Sequence, residues 1–428
     1  MLDAMSSSDI SLLEREAKAA GSTTNHYQAV MLTLARGATA AMAAALPFST
    51  AATNAFAAIA FFAWILSGKV LIQVRRAARD PVVLGAIAAT LFVLAGVLWS
   101  SAELAASAEA AAKYRKLILL AMLVMLLDES RWRQAVLAVF FGSTVLLLLA
   151  SIGVYLRLPG FPAANELQGA ILQRSHITQG LLMALLAAAA LIWSSKPRAL
   201  WLKLVAWVIA AAALANLFGM IQGRTGYLVV AVLAFWAGWR RFSWRGAAAA
   251  GLVLATLAFV AYANLSTVKH RLDLVASDLD RFKAGEIDTP SGRRLHFYQR
   301  ALQIIADNPV FGAGTGAWAT EYNVRSGGDP ASLAKAQGLG NPHNDYLLVA
   351  VQWGSVGLLL MLGALVGLYR LASRLPRQSS RLAQASIVAY SAGALVNSFL
   401  WDAGEGMMFV LLWGALFAEQ RLSQHDGS

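Results

Sequence analysis

Long apolar blocks run the length of this chain, separated by short polar segments. A helix needs about 20 apolar residues to cross about 30 Å of hydrocarbon, at about 1.5 Å per residue. Twelve such runs lie near residues 27–46, 48–67, 81–99, 114–128, 134–155, 177–194, 200–218, 226–239, 246–263, 345–369, 384–400 and 405–421, the fourth and eighth being the shortest. Pro47 and Pro81 stand at run edges, where a missing backbone donor costs least. The pattern predicts an all-α, polytopic membrane protein with about 12 transmembrane helices.

The polar segments predict its direction, because short cytoplasmic loops are rich in Lys and Arg. With the N-terminus inside, the inside loops hold Lys69, Arg75, Arg76 and Arg79; Arg131 and Arg133; Lys196 and Arg198; Arg240, Arg241 and Arg245; and Arg370, Arg374, Arg377 and Arg381. The outer segments hold few: Lys113, Arg115, Lys116, Arg157, Arg174 and Arg224. Residues 1–26 are polar, with Glu14, Arg15, Glu16 and Lys18 and no apolar core before a small-residue cleavage site, so they read as a cytoplasmic tail rather than a signal peptide. The chain then divides into spans 1–9 (27–263), a large outer loop (264–344), spans 10–12 (345–421) and a polar tail (422–428).

Composition agrees. Hydrophobic residues make up 58% of the 428 and charged residues 14%, against about 45–50% and about 25% in soluble domains. The net charge of +12 would suggest nucleic acid in a soluble protein, but here it is spent on loops that orient spans, so no nucleic-acid partner is expected and membrane lipids are. Without cysteine, disulfides and thiolate chemistry are excluded.

The outer loop of about eighty residues is where chemistry is expected. Val268 to Phe282 has amphipathic spacing. Arg293 to Ile305 predicts a second helix, with Ser291 or Gly292 near its start and Asp307-Asn308-Pro309 ending it. Phe311-Gly312-Ala313-Gly314-Thr315-Gly316 is turn or tight-packing chemistry, and Phe297, Tyr298, Phe311, Trp318 and Tyr322 predict order.

Three pieces carry candidate function. His343, in Gly340-Asn341-Pro342-His343-Asn344-Asp345-Tyr346-Leu347, has a side chain of ordinary pKa about 6.5 that can take a proton from a hydroxyl, with Asn344 and Asp345 near enough to orient its ring; a hydrated or helix-capping histidine is the competing reading. Arg224, in Gln222-Gly223-Arg224-Thr225-Gly226, breaks the inside bias and can offer its planar fork to phosphate oxygens, or snorkel to lipid headgroups. Arg174, beside His176, poses the same choice. Ser291-Gly292-Arg293-Arg294 puts positive charge at a helix start, unfavourable by a few tenths of a kcal/mol and therefore suggestive of an anion; a solvated basic loop is the alternative, most of all for Arg294. No calcium loop, His-Glu-x-x-His motif or Gly-x-x-x-x-Gly-Lys loop is present, and few acidic residues lie within the runs, which disfavours an ion-coupled transporter.

The Gly-Arg-Thr-Gly turn at 223–226, Ser-Gly-Arg at 291–293, Gly-x-Gly-x-Gly at 312–316 and His-Asn-Asp-Tyr-Leu at 343–347, followed by Gly354 and Gly357, resemble the O-antigen ligase and polymerase superfamily, in order and topology across nearly the whole chain. The resemblance implies a GT-C-like, metal-independent, inverting glycosyltransferase of the bacterial inner membrane with a periplasmic site. Its donor would be a glycan on undecaprenyl diphosphate and its acceptor a sugar hydroxyl of lipid A-core, with no cofactor. It implies His343 as general base and Arg224 and Arg293 as holders of the donor diphosphate, with Arg174 and His176 beside them; Asn344, Asp345 and Arg294 are supporting candidates from the residue pattern alone. Within the superfamily, a polymerase shares donor and topology and differs in acceptor, and a protein O-oligosaccharyltransferase usually carries a further soluble segment after the last helix. A lipid-linked-glycan flippase, from another class, would need a continuous cavity.

Overall fold

The computed structural model describes residues 7–165, 169–172, 175–221, 223–264, 273, 277–287, 289–327 and 340–419. Among these the protein is all-helical, with two isolated bridges, Asn165 to Gly169 and Gly169 to Ile221, and no strands. The apolar runs map onto α1 (Ser7–Ala45), α2 (Thr50–Leu66), α4 (Pro81–Ala95), α6 (Lys116–Leu126), α7 (Ser130–Tyr155), α8 (His176–Ser194), α9 (Leu200–Ala215, extended by a π turn over Asn216–Met220), α10 (Arg224–Asn264), α13 (Asp345–Ala372), α14 (Arg377–Gly393) and α15 (Ala403–Phe417). Between them lie α3 (Val70–Arg76), α5 (Leu104–Lys113), α11 (Pro290–Asp307) and α12 (Trp318–Arg325).

Four of these, α7, α8, α9 with its π turn, and α13, are long and apolar enough to cross a membrane, and α2 with α3 makes a fifth if that pair, bent by 92°, counts as one span. Helices α4 and α15 are apolar but shorter. The centre of the bundle is α6, α8 and α15, whose residues Leu119–Leu127, Leu181–Ala187 and Met407–Ala418 are almost all buried. In lipid, burial of leucine against leucine gains little over tails of the same polarity, so close packing holds such helices together.

Local chemistry sets the ends. Asp80 caps α4, accepting from Val82 N at 2.9 Å, with Pro81 in the first turn. Trp64 donates to Gln73 Oε1 at 2.5 Å and pins α3 across the end of α2. In α11 the cap is Thr289, whose Oγ1 accepts from Gly292 N at 3.0 Å, so this helix starts three residues before the Arg293 expected from spacing and ends, as expected, at Asp307. The Val268–Phe282 segment lies outside the described residues except for 273 and 277–282, of which 277–282 are helical.

The structure departs from the run boundaries in four places. Helix α1 begins at Ser7, well before its apolar run. The 226–239 and 246–263 runs form one helix assignment, broken at Phe242 and Ser243 (φ +56°), where Gly238 and Gly246 meet so closely that a Cβ on either would strike the other's carbonyl oxygen. Helix α14 stops at Gly393, and residues 394–402 leave the helix instead of continuing to 400.

The fourth departure is inside α13, which breaks at Gly354 (φ +61°). The carbonyls freed by the break accept from the glycine loop: Ala313 N to Val351 O at 2.8 Å and Gly314 N to Gln352 O at 2.9 Å. In return Ser355 N reaches Pro309 O at 2.8 Å. Gly312, Gly314 and Gly316 all carry positive φ, which glycine adopts without the steric cost other residues meet. The loop is also tied to the end of α4, with Thr315 Oγ1 donating to Val93 O at 2.7 Å. A small core of Phe297, Ala301, Ile304, Ala317, Trp318 and Leu348 seats α11 and α12 on the first turns of α13.

Candidate active site

His343 stands just ahead of α13 in a left-handed conformation (φ +55°), a strain of about 1–3 kcal/mol for a non-glycine residue and one that clusters at functional sites. Its N–H donates to Asn341 Oδ1 at 2.8 Å, and its carbonyl accepts from Tyr298 of α11 at 3.4 Å. Asn344 does not orient the imidazole. It caps α13, accepting from Leu347 N at 3.0 Å and donating to Leu395 O at 2.8 Å. Asp345 does not either: it is fully buried, its Oδ2 accepting from Tyr390 at 2.8 Å and Leu400 N at 3.2 Å, its N–H reaching Ala394 O and Asn397 O. The helix start consumes both polar side chains and leaves the half-buried imidazole, tilted at 6.4 Å from Phe297, facing the site with no side-chain hydrogen bond among the described residues.

The Gly-Arg-Thr-Gly turn has a use for each residue. A Cβ at Gly223 would lie 3.1 Å from the carbonyl oxygen of His176, so only glycine lets the turn rest on the start of α8. Thr225 is buried and its hydroxyl accepts from Asn397 Nδ2 at 2.7 Å. Gly226 packs on Leu217 and Gly180, bringing α10 against α8. Arg224 alone is exposed, at the first residue of α10.

Arg294 joins these groups. On α11 it shares a face with Tyr298, four residues on, and is half-buried, whereas Arg293 is exposed. The Arg294 charge acts on His343 and on His176, and Arg224 and Tyr298 act on Arg294 in turn. Arg174 lies outside the described residues. His176, Arg224, Arg294 and His343, drawn from α8, α10, α11 and the approach to α13, are therefore linked through the Arg294 charge. Burial, then the Arg294 cation, pull His343 down to about 4, so its imidazole is neutral at pH 7 and its proton-accepting lone pair is free. His176 Nδ1 is buried without a hydrogen-bond partner among the described residues.

Sequence reasoning missed a buried ionic group beneath this site. Lys116 (3% exposed) donates to Asp402 O at 2.7 Å and lies in the field of Asp345, Asp402 and Glu405, while Glu405 accepts from Thr178 at 2.5 Å. Burial, then the charges of Glu405 and Asp345, push Asp402 up to about 7. Its one visible signal was a lysine at the mouth of an apolar run on the lysine-poor side.

The described residues thus form an all-helical protein with membrane-capable helices, carrying arginines and a histidine at a loop–helix junction. A family model described as O-antigen ligase matches residues 209–362, just over a third of the chain. The matched region contains Arg224, Arg293, Arg294, His343 and the break in α13. No curated protein matches the chain.

Proposed function

We propose that this protein is an inverting glycosyltransferase that moves a glycan from undecaprenyl diphosphate to a sugar hydroxyl of lipid A-core, at the periplasmic face of the bacterial inner membrane. The observation that carries this reading is the shared electrostatic field of Arg294, Arg224, His176 and His343, within a chain that matches the O-antigen ligase family. The same reading has twelve spans in a GT-C-like frame, nine before and three after the 264–344 loop.

In this scheme Arg294 and Arg224 hold the donor diphosphate by charge-assisted hydrogen bonds, with His176 beside them. The acceptor hydroxyl oxygen forms a bond to the anomeric carbon as the bond from that carbon to the diphosphate oxygen breaks. The electron pair leaves with the diphosphate, whose growing charge the arginines stabilise. The hydroxyl proton passes to His343. A single displacement inverts the anomeric centre. Because the Arg294 cation holds the imidazole down, a bound diphosphate offsets that charge and makes His343 a stronger base when the donor is in place.

The test is reconstitution of purified protein in detergent with undecaprenyl-diphosphate-linked glycan and lipid A-core. Product formation without a membrane gradient is expected. Product only when a second lipid-linked repeat unit replaces lipid A-core would make the protein a polymerase, and no product with either acceptor would remove the transferase reading.

A further inference from the structure

A cleft of about 750 Å³ opens between α7, α8, α9 and the start of α14. It lies at the opposite end of α8 from His176, and Trp193 on its wall is about 25 Å along that helix. Its walls are apolar, with Leu137, Phe141, Val205 and Ile209 among them, and its mouth carries Arg133, Lys196, Arg198 and Arg377 against one carboxylate, Glu419.

These cations are not spent on one another's counter-charges. Arg133 donates to the carbonyls of Leu127 and Asp128 and lies in the field of Glu419. Arg198 lies 3.9 Å over the Trp193 ring, a stacking that fixes the guanidinium at the mouth. Lys196 and Arg377 make no ion pair among the described residues. Helices α9 and α14 also begin here, neither with a side-chain cap nor with an acidic residue in its first turn, so two partial positive charges add to the same field, while α7 begins behind the carboxylate of Glu129. An apolar slot ending in concentrated positive charge complements a molecule with acyl chains and an anionic head, and a basic pocket between helices on the cytoplasmic side suits such a lipid.

We propose that this cleft is a binding site for an anionic phospholipid, its phosphate held by Lys196, Arg198 and Arg377 and its chains along α7 and α9. The inference rests on the membrane reading of the chain, with this end cytoplasmic, and not on the glycosyl transfer at the other end.

The experiment is native mass spectrometry of the full chain, delipidated in neutral detergent and offered phosphatidylglycerol or phosphatidylcholine. The wild type is expected to retain phosphatidylglycerol at least tenfold better. Lys196→Ala/Arg198→Ala/Arg377→Ala should bring that ratio near one, while Arg75→Ala/Arg76→Ala, which removes basic residues of α3 outside the cleft, should leave it unchanged. Gly142 also lines the cleft and a Cβ there meets nothing within 4 Å, so Gly142→Leu fills the slot without strain and should reduce retention of both lipids. Equal retention of the two lipids by the wild type, an equal loss in the α3 variant, or full retention by Gly142→Leu would each overturn the proposal. Retention is read without turnover, so failure of the transfer assay leaves this result standing, and the reverse also holds.

Discussion

The hydroxyl of Thr225 accepts a hydrogen bond from the Asn397 amide at 2.7 Å, with both residues buried. This single contact ties the turn that presents Arg224 to the 394–402 segment, and that segment in turn accepts the Asp345 N–H and the Asn344 amide beside His343. Two halves of the site are thereby held in one register. Thr225→Val keeps the shape and removes the acceptor, leaving a buried amide unpaired at a cost of about 1–3 kcal/mol. A drop in thermal unfolding temperature together with weaker donor binding is expected; a stable variant with unaltered donor affinity would show that the contact does not set the position of Arg224.

His343→Ala is expected to lower transfer by about 10²–10⁴-fold, the usual contribution of a positioned base. Folding should survive, since the imidazole makes no side-chain hydrogen bond among the described residues. Single-turnover rates on preloaded donor measure the step directly, and a normal rate would take His343 out of the chemistry.

Arg294 and Arg293 separate cleanly. Arg294→Ala should raise the donor KM or lower kcat by tenfold or more, because it removes the cation whose charge acts on both histidines, whereas Arg293→Ala, at an exposed position, should cost less than threefold. Parallel steady-state kinetics on the two variants decide it, and the opposite ranking would return the role to Arg293.

The acid limb of activity follows from the histidine. With His343 at about 4, the free protein keeps its base neutral above about pH 5 and loses it as the pH falls through about 4. The imidazolium is disfavoured by the Arg294 charge, so Arg294→Gln must raise the His343 pKa and move the acid limb of kcat/KM to higher pH. NMR titration of labelled histidine reads the same shift without turnover, and an unmoved pKa in the variant would refute the coupling.

Gly354→Ala tests the break in α13. A Cβ there would sit 2.3 Å from Val310 O and force an alanine to φ +61°. A loss of several kcal/mol, seen as poor expression or a lowered unfolding temperature, is expected; an alanine variant as stable as the wild type would mean the break is not required.

Much of the frame was legible because apolar blocks repel interruption: among the described residues eleven helices overlap the twelve runs read from residue pattern, two of the runs merging in α10, and Asp307-Asn308-Pro309 closes α11 where local backbone rules require. The motifs were legible too, yet several for a different reason than first read. Asn344 and Asp345 looked like partners of the His343 ring, and their side chains instead cap and anchor α13. The 312–316 segment reads as turn or tight-packing chemistry and is packed tightly, since a Cβ at Gly312 or Gly314 would strike backbone; Ala313 and Gly314 also supply backbone donors to the carbonyls that the break in α13 frees.

The residue pattern by itself determined what is local: all-helical structure, apolar membrane-capable helices, a polar segment between them and the short list of cations and histidine, since helix propensity, span length and charge bias act over a few turns of chain. Only the tertiary structure decided what depends on distance between remote segments. It brought Arg294 of α11 into the electrostatic field of both His343 and His176. It also gathered Lys116, Asp402 and Glu405 into one buried group, and joined Thr225 to Asn397 across 172 positions. No periodicity in the chain encodes those pairings; they exist because helices far apart in sequence pack side by side.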